Sequence, residues 1–107
     1  MRIGIRGLSS NFGLSSEGCP LQNLTHSSER GGDIDLVLLH YGVESWGDYP
    51  GEPTLTLANL DRIQADAICV GHLHKPNRRE LPGGAVLLNP GATEHIHFGE
   101  EHLDCGY

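Results

Sequence analysis

The longest apolar stretch of the chain, residues 34–40, is nearly continuous rather than alternating, which predicts a strand covered on both faces of a mainly parallel sheet. Shorter apolar runs predict two further strands at residues 67–70 and 85–88. Polar and apolar positions alternate over residues 2–8, as in a half-exposed strand, and a short edge strand is predicted at residues 96–98. The pattern therefore predicts a domain of the α/β class.

One amphipathic helix is predicted between the strands at residues 34–40 and 67–70. Leu57, Leu60 and Ile63 recur at a spacing of three, so they share one face of a helix. Thr54 or Thr56 is placed to cap its amino terminus. A strand, a loop, a helix and a strand in this order form a βαβ unit.

The remaining segments are rich in turn-forming residues. Serines and glycines over residues 9–33 predict a long loop with one turn of helix near residues 21–27. Loops are also predicted at residues 41–53 and, as an exposed turn, at residues 75–79. The Asn-Pro-Gly sequence at residues 89–91 predicts a tight turn.

The length of 107 residues fits one small domain or a piece of a larger one, with residues 34–101 as its core. Seven Lys and Arg residues oppose 14 Asp and Glu residues, which gives a net charge of −7. This balance disfavours charge-driven, sequence-blind binding to nucleic acid or to an anionic membrane. Binding to phosphates through metal ions remains compatible with it.

Cysteine usage favours a reducing compartment. Cys19, Cys69 and Cys105 are odd in number and form no Cys-x-x-Cys motif, so they predict neither a disulfide framework nor a thiolate zinc site. The sequence also lacks an apolar run long enough for a signal peptide or a membrane span. We therefore expect a cytoplasmic protein without a membrane partner.

The candidate chemistry lies in histidines at strand ends. His40 ends the first long apolar run, and His72 and His74 follow the second in the sequence Gly-His-Leu-His. Ligands gather at the carboxyl edge of an open parallel sheet. Neutral imidazole suits Mn²⁺, Fe²⁺ or Zn²⁺, whereas Mg²⁺ and Ca²⁺ favour more carboxylate oxygens.

The spacing within the Gly-His-Leu-His motif suits two neighbouring ions. His72 and His74 would stand about 7 Å apart at ~3.3 Å per strand residue, and paired catalytic metals lie about 3.5–4 Å apart. Lys75 and Arg78 follow the motif and are candidates for binding substrate phosphate. The alternative for these two residues is a solvated turn.

Three segments together resemble a known family. The sequences LVLLHYGVE, ADAICVGHLHKP and VLLNPGATEHIHFGEE resemble the C-terminal part of the catalytic domain of calcineurin-like metallophosphoesterases, and most of all the SbcD-type DNA repair exonucleases. The resemblance covers residues 34–101, and residues 1–10 weakly. It implies a partial two-sheet sandwich flanked by helices, with metals at the strand ends.

The resemblance also implies an activity and a set of ligands. His40 and His72 would bind one metal ion and His74 the other. The complete enzyme would hydrolyse phosphodiester bonds, with DNA as substrate, using water activated by two divalent ions. Mn²⁺ is the expected metal, with Fe²⁺ or Zn²⁺ as alternatives. An SbcC-like ATPase would be its partner.

Three motifs of that family are missing from this chain. These are an opening Asp-x-His, a Gly-Asp at a strand end and a Gly-Asn-His. Gly32-Asp33 precedes a predicted strand, and Gly47-Asp48 lies in a predicted loop. Without a bridging carboxylate the repulsion between two dications is uncompensated. We therefore expect a fragment that needs the N-terminal half of the catalytic domain and is inactive alone.

Two alternatives remain open. The first is a truncated or degenerate metal-binding piece without catalysis, which the missing carboxylates favour. The second is a cupin-like mononuclear metal enzyme, in which a His-x-His element is followed by an acid and by a Gly-Pro-Gly-His pattern. The residues for it are Glu80, Gly84, Pro90, Gly91 and His95. The predicted helix argues against the second alternative, because cupin barrels consist almost entirely of strands.

Overall fold

The computed structural model describes residues 1–8, 21, 32–46, 54–95, 98–103 and 105. The loop and helical turn predicted within residues 9–33 lie almost wholly outside them. The described strands are β1 (Ile3–Leu8), β2 (Ile34–His40), β3 (Gly42–Val43), β4 (Thr54–Leu55), β5 (Ala67–Gly71), β6 (Asn77–Glu80) and β7 (Val86–Asn89). Helix α1 spans Leu57–Asp61, and a 3-10 turn spans Phe98–Glu100.

Five strands form the main sheet in the order β1-β2-β5-β7-β6. β1, β2, β5 and β7 are parallel, and β6 is antiparallel to β7 at the edge. β3 and β4 form a separate parallel pair. β2, α1 and β5 form the predicted βαβ unit, and the α/β class is confirmed.

Four predicted strands are confirmed, whereas the local predictions at residues 75–79, at residue 98 and within residues 41–53 differ from the structure. Asn77–Glu80 forms β6 where an exposed turn was expected, because its backbone pairs with the free edge of β7. Phe98 begins a 3-10 turn instead of ending a strand, while residues 96–97 lie outside the described part. Gly42–Val43, within a predicted loop, pairs with Thr54–Leu55.

Helix α1 is short and is capped at its amino terminus by two side chains. The Thr56 Oγ1 atom accepts a hydrogen bond from the Asn59 N–H at 3.2 Å, and Glu44 Oε1 accepts one from the Leu57 N–H at 2.6 Å. Leu60 is fully buried against the sheet. Of the two predicted capping residues, Thr56 therefore has this role. No helix in the described part of the chain is long and apolar enough to cross a bilayer.

Replacing Thr56 with alanine removes one of these caps. We expect Thr56→Ala to lower the free energy of unfolding by about 1 kcal/mol, the usual cost of losing a threonine N-cap. Urea denaturation followed by circular dichroism would measure it. Thr93→Ala, at an exposed bend, is the control and should change stability by less than ~0.5 kcal/mol. Equal effects of the two substitutions would contradict the capping role.

One face of the sheet, the covered face, carries the core. Alternate residues of the central strands point into it, and they meet Leu21 from the β1–β2 connection and Leu60 from the β2–β5 connection. The buried apolar residues of this core are Leu21, Val37, Leu39, Tyr41, Val43, Leu55, Leu60, Ile63, Ile68, Val70, Leu81, Ala85 and Leu87.

In the described part of the chain, the opposite face, which we call the open face, is apolar and carries side chains that are exposed or half-buried. Ile5 is 63% exposed and Leu38 is 47% exposed. The right-handed crossover from β2 to β5 places α1 on the covered face, and Leu21 of the β1–β2 connection is buried there as well. The open face consists of Ile3, Ile5, Ile34, Leu36, Leu38, Ala67, Cys69, Val86 and Leu88.

The prediction that residues 34–40 form a strand covered on both faces is therefore wrong for the described part of the chain. Exposure alternates along β2, with Val37 and Leu39 buried and Leu38 exposed. Parallel sheets are almost always covered on both faces. β2 thus has the apolar sequence of a strand that is covered on both faces, but in the described part of the chain only one of its faces is covered.

Candidate metal centre

The imidazoles of His40 and His72 meet at the carboxyl edge of the sheet. β2 and β5 are adjacent and parallel, and His40 stands opposite Gly71 in register. The ring centroids of His40 and His72 lie 5.4 Å apart with their planes at 74°. A Cβ atom on Gly71 would lie 3.3 Å from His40 Nδ1, so glycine leaves space for this ring.

His72 has an unfavourable backbone conformation. Its φ angle is 111°, a region that L-amino acids rarely adopt. Such a residue costs of order 1–3 kcal/mol and persists only where its surroundings hold it, commonly at functional sites. A Cβ atom on Gly42 would lie 3.9 Å from His72 Cδ2, so the ring reaches the start of β3. The strained turn directs the imidazole of His72 toward that of His40.

The separation of these two rings suits a shared metal ion. With Zn–N bonds of about 2.0–2.1 Å and roughly 1.1 Å from nitrogen to ring centroid, two tetrahedral imidazole ligands have centroids about 5 Å apart. The observed 5.4 Å is close to this value. It also lies in the range of an edge-to-face contact between two rings. The separation of His40 and His72 is therefore compatible with two ligands of one ion as well as with a ring contact.

Further ligands are not assembled around this pair. Among the described residues, no group of three or more His, Cys, Asp or Glu side chains is arranged to hold a metal ion. Asp33 accepts the Arg2 N–H at 2.9 Å, and Asp66 accepts the Asp35 N–H at 2.7 Å. These carboxylates lie at the amino end of the sheet, whereas the histidines lie at its carboxyl edge.

The predicted ligand His74 is half-buried in the turn that follows β5, residues 72–75, which we call the histidine turn. The backbone of this turn is fixed by the segment after β7. Asn89 Nδ2 donates hydrogen bonds to the carbonyls of Leu73 at 3.0 Å and Lys75 at 2.7 Å. The Ala92 N–H donates to the His74 carbonyl at 2.9 Å. The sequence predicts only a turn at residues 89–91, and this role of Asn89 was missed.

The two predicted phosphate-binding residues are placed differently. Lys75 is exposed and adjoins His74 in the turn. Arg78 lies on β6, with its side chain 65% exposed and 3.8 Å from Glu80. β6 is three strands from β2, which at about 4.8 Å per strand separates Arg78 from His40 by roughly 14 Å or more. Lys75 therefore lies in the histidine turn, and Arg78 is not near His40.

The sheet topology bears on the cupin-like alternative. Glu80 lies on β6 beside Arg78, and His95 Nε2 lies 2.7 Å from the Leu103 carbonyl oxygen. Cupins are double-sheet jelly rolls of antiparallel strands, whereas the central strands here are parallel. The architecture therefore does not favour this alternative.

Comparison with known proteins adds no assignment to the site. No protein-family profile matches the chain, and no curated protein matches it. The chemistry and geometry of the residues are the basis for the function proposed below.

Proposed function

We propose that this chain is the C-terminal part of a calcineurin-like, metal-dependent phosphoesterase of the DNA repair exonuclease type. The observation that carries the proposal is the pair formed by His40 and His72 at the carboxyl edge of the sheet, with ring centroids 5.4 Å apart. The backbone strain at His72 supports it, because a non-glycine residue with a φ of 111° is costly and such residues cluster at functional sites.

Each histidine of the site has a proposed role. His40 and His72 would share one divalent ion, and His74 would bind the second. When bound, the two ions would promote attack of water on a phosphodiester, with Mn²⁺ as the expected metal and Fe²⁺ or Zn²⁺ as alternatives. Lys75 would orient the substrate phosphate, and Arg78 would contact a more distant phosphate of the DNA.

The open face supports the view that the chain is one part of a larger catalytic domain. An apolar sheet face normally packs against a second layer, and the N-terminal half of a two-sheet sandwich would provide that layer. His40 lies on the same side of β2 as Leu36 and Leu38. A layer that covered the open face would therefore adjoin His40 and could supply the missing carboxylates.

The remaining parts of the proposal concern partners and compartment. An SbcC-like ATPase is the partner that the family resemblance implies for the complete enzyme. Cys69, half-buried on β5, is a free thiol in the described part of the chain. A free thiol is typical of a reducing compartment, which favours the cytoplasm.

Hydrolysis of bis-p-nitrophenyl phosphate with Mn²⁺ tests the proposal. We expect no turnover by this chain alone, and turnover after mixing with a chain that contains the Asp-x-His, Gly-Asp and Gly-Asn-His motifs. His72→Ala should abolish the restored activity. His95→Ala changes an exposed histidine outside the site and is the matched control, which should retain it.

Two results would contradict the proposal. Turnover by the isolated chain that His72→Ala abolishes would show that the chain is complete. Metal binding without turnover in any mixture would instead favour the second candidate, a non-catalytic metal-binding piece. That candidate is favoured by the position of Asp33, Asp35 and Asp66 at the opposite end of the sheet from the histidines.

A further inference from the structure

Asn89 is a buried polar residue with an unusual set of contacts. It ends β7 and is 1% exposed. Its Nδ2 atom donates both of its hydrogen bonds to backbone carbonyls, those of Leu73 and Lys75, at 3.0 and 2.7 Å. These carbonyls lie on either side of His74, so a single amide group spans the residue that we assign to the second ion.

The residues that follow Asn89 complete the attachment. The Ala92 N–H donates to the His74 carbonyl at 2.9 Å, between the two carbonyls that Asn89 binds. Gly91 has a φ of 80°, and a Cβ atom there would lie 2.7 Å from the His74 carbonyl oxygen. Three successive carbonyls of the histidine turn are thus held by residues 89–92, and glycine is required for the close approach.

The acceptor side of the same amide makes no hydrogen bond among the described residues, so its side-chain hydrogen bonds there are the two that it donates. Asn89 Oδ1 is buried and has no hydrogen-bond partner among the described residues. Leaving a buried acceptor without a partner is unfavourable. An apolar residue of similar size would avoid this cost, so we conclude that the two donated hydrogen bonds outweigh it.

We propose that Asn89 is a positioning residue of the candidate metal centre. By fixing the carbonyls of Leu73 and Lys75 it presets the turn that carries the imidazoles of His72 and His74. Groups behind the direct ligands commonly set ligand orientation and metal affinity in this way. The metal-related part of this inference rests on the proposed function, whereas the orientation of the two rings is testable without metal.

Asn89→Asp tests the inference with almost no change in shape. Aspartate is acceptor-only when ionised, so it loses both donors and faces two carbonyl oxygens. We expect the dissociation constant for Co²⁺ to rise about 10- to 100-fold. The visible absorption of bound Co²⁺ and titration calorimetry would both measure it. Asn89→Ser, which keeps one donor, should give a smaller rise and is the milder variant if Asn89→Asp fails to fold.

A second readout needs no metal. In the metal-free protein, Asn89→Asp should shift the imidazole ¹⁵N and ¹H resonances of His72 and His74 and leave those of His95 in place. Asn77→Asp is the matched control. Asn77 is the register partner of Asn89 on β6, and its Oδ1 atom accepts a hydrogen bond that aspartate can also accept. The control should change neither the imidazole resonances nor the Co²⁺ affinity.

The outcomes separate this inference from the proposed function. Unchanged His72 and His74 resonances in Asn89→Asp, or a Co²⁺ dissociation constant within twofold of the parent, would overturn the positioning role. If the parent chain binds no Co²⁺, the proposed function is weakened. The imidazole resonances then decide whether Asn89 orients the turn.

Discussion

Truncation of Leu39 to alanine is expected to lower the free energy of unfolding by about 2–5 kcal/mol, the usual cost for a leucine in a packed core. Leu39 is 4% exposed and belongs to the core of the covered face. The same truncation at Leu38 should cost less than about 1 kcal/mol, because a side chain that is already 47% exposed leaves little cavity behind. Urea denaturation of both variants measures the difference.

This pair of variants contains its own control. Leu38 and Leu39 are neighbours on β2, have the same side chain and point to opposite faces of the sheet. Small domains are stable by only about 5–15 kcal/mol, so Leu39→Val is a milder companion if Leu39→Ala does not fold. Equal losses at Leu38 and Leu39 would show that the open face is covered in solution. The open face would then no longer support the proposal that an N-terminal half of the catalytic domain packs against it.

The covered and open faces show how far the apolar pattern predicts the fold. Continuous apolar runs locate β2 and β5 correctly, because a strand with apolar residues on both faces has no other pattern. The pattern does not state whether the chain also contains the layer that covers each face. That depends on strand order and crossover direction, which place α1 of the β2–β5 connection on the covered face.

The edge strands were missed for a different reason. Asn77–Glu80 contains no apolar residue, so no periodicity marks it as a strand. It is a strand because its backbone groups pair with β7 (Val86–Asn89). Gly42–Val43 and Thr54–Leu55 are too short to show any periodicity. Both cases depend on tertiary pairing, which a local pattern does not contain.

The site was partly predictable. His40 and His72 were expected to lie together because the carboxyl ends of neighbouring parallel strands meet at one edge, and their rings do lie together. The attachment of the histidine turn by Asn89 was not foreseen, since it depends on where β7 ends relative to that turn. An asparagine directly after the apolar run at residues 85–88 was the available signal. The positive φ of His72 left no trace in the sequence, because such positions are normally marked by glycine.

Replacing His72 with glycine is expected to stabilise the fold while removing metal binding. Glycine adopts a φ of 111° without the strain of order 1–3 kcal/mol that a larger residue bears there. The greater freedom of glycine in the unfolded chain offsets about 0.5–1 kcal/mol of this gain. We therefore expect a net increase of about 1 kcal/mol in urea denaturation. The Co²⁺ affinity should fall at least tenfold, because one of the two paired imidazoles is lost.

Two further variants separate strain from ligation. Ser45 also has a positive φ, 69°, and is outside the histidine pair, so Ser45→Gly should raise stability and leave Co²⁺ binding unchanged. His40 is exposed and lies on a regular strand, so His40→Ala should weaken Co²⁺ binding without a gain in stability. If His72→Gly instead destabilises the protein, the backbone at this position is not strained in solution. If His72→Gly binds Co²⁺ as tightly as the parent, His72 is not a metal ligand. Its strained conformation then serves packing rather than metal binding.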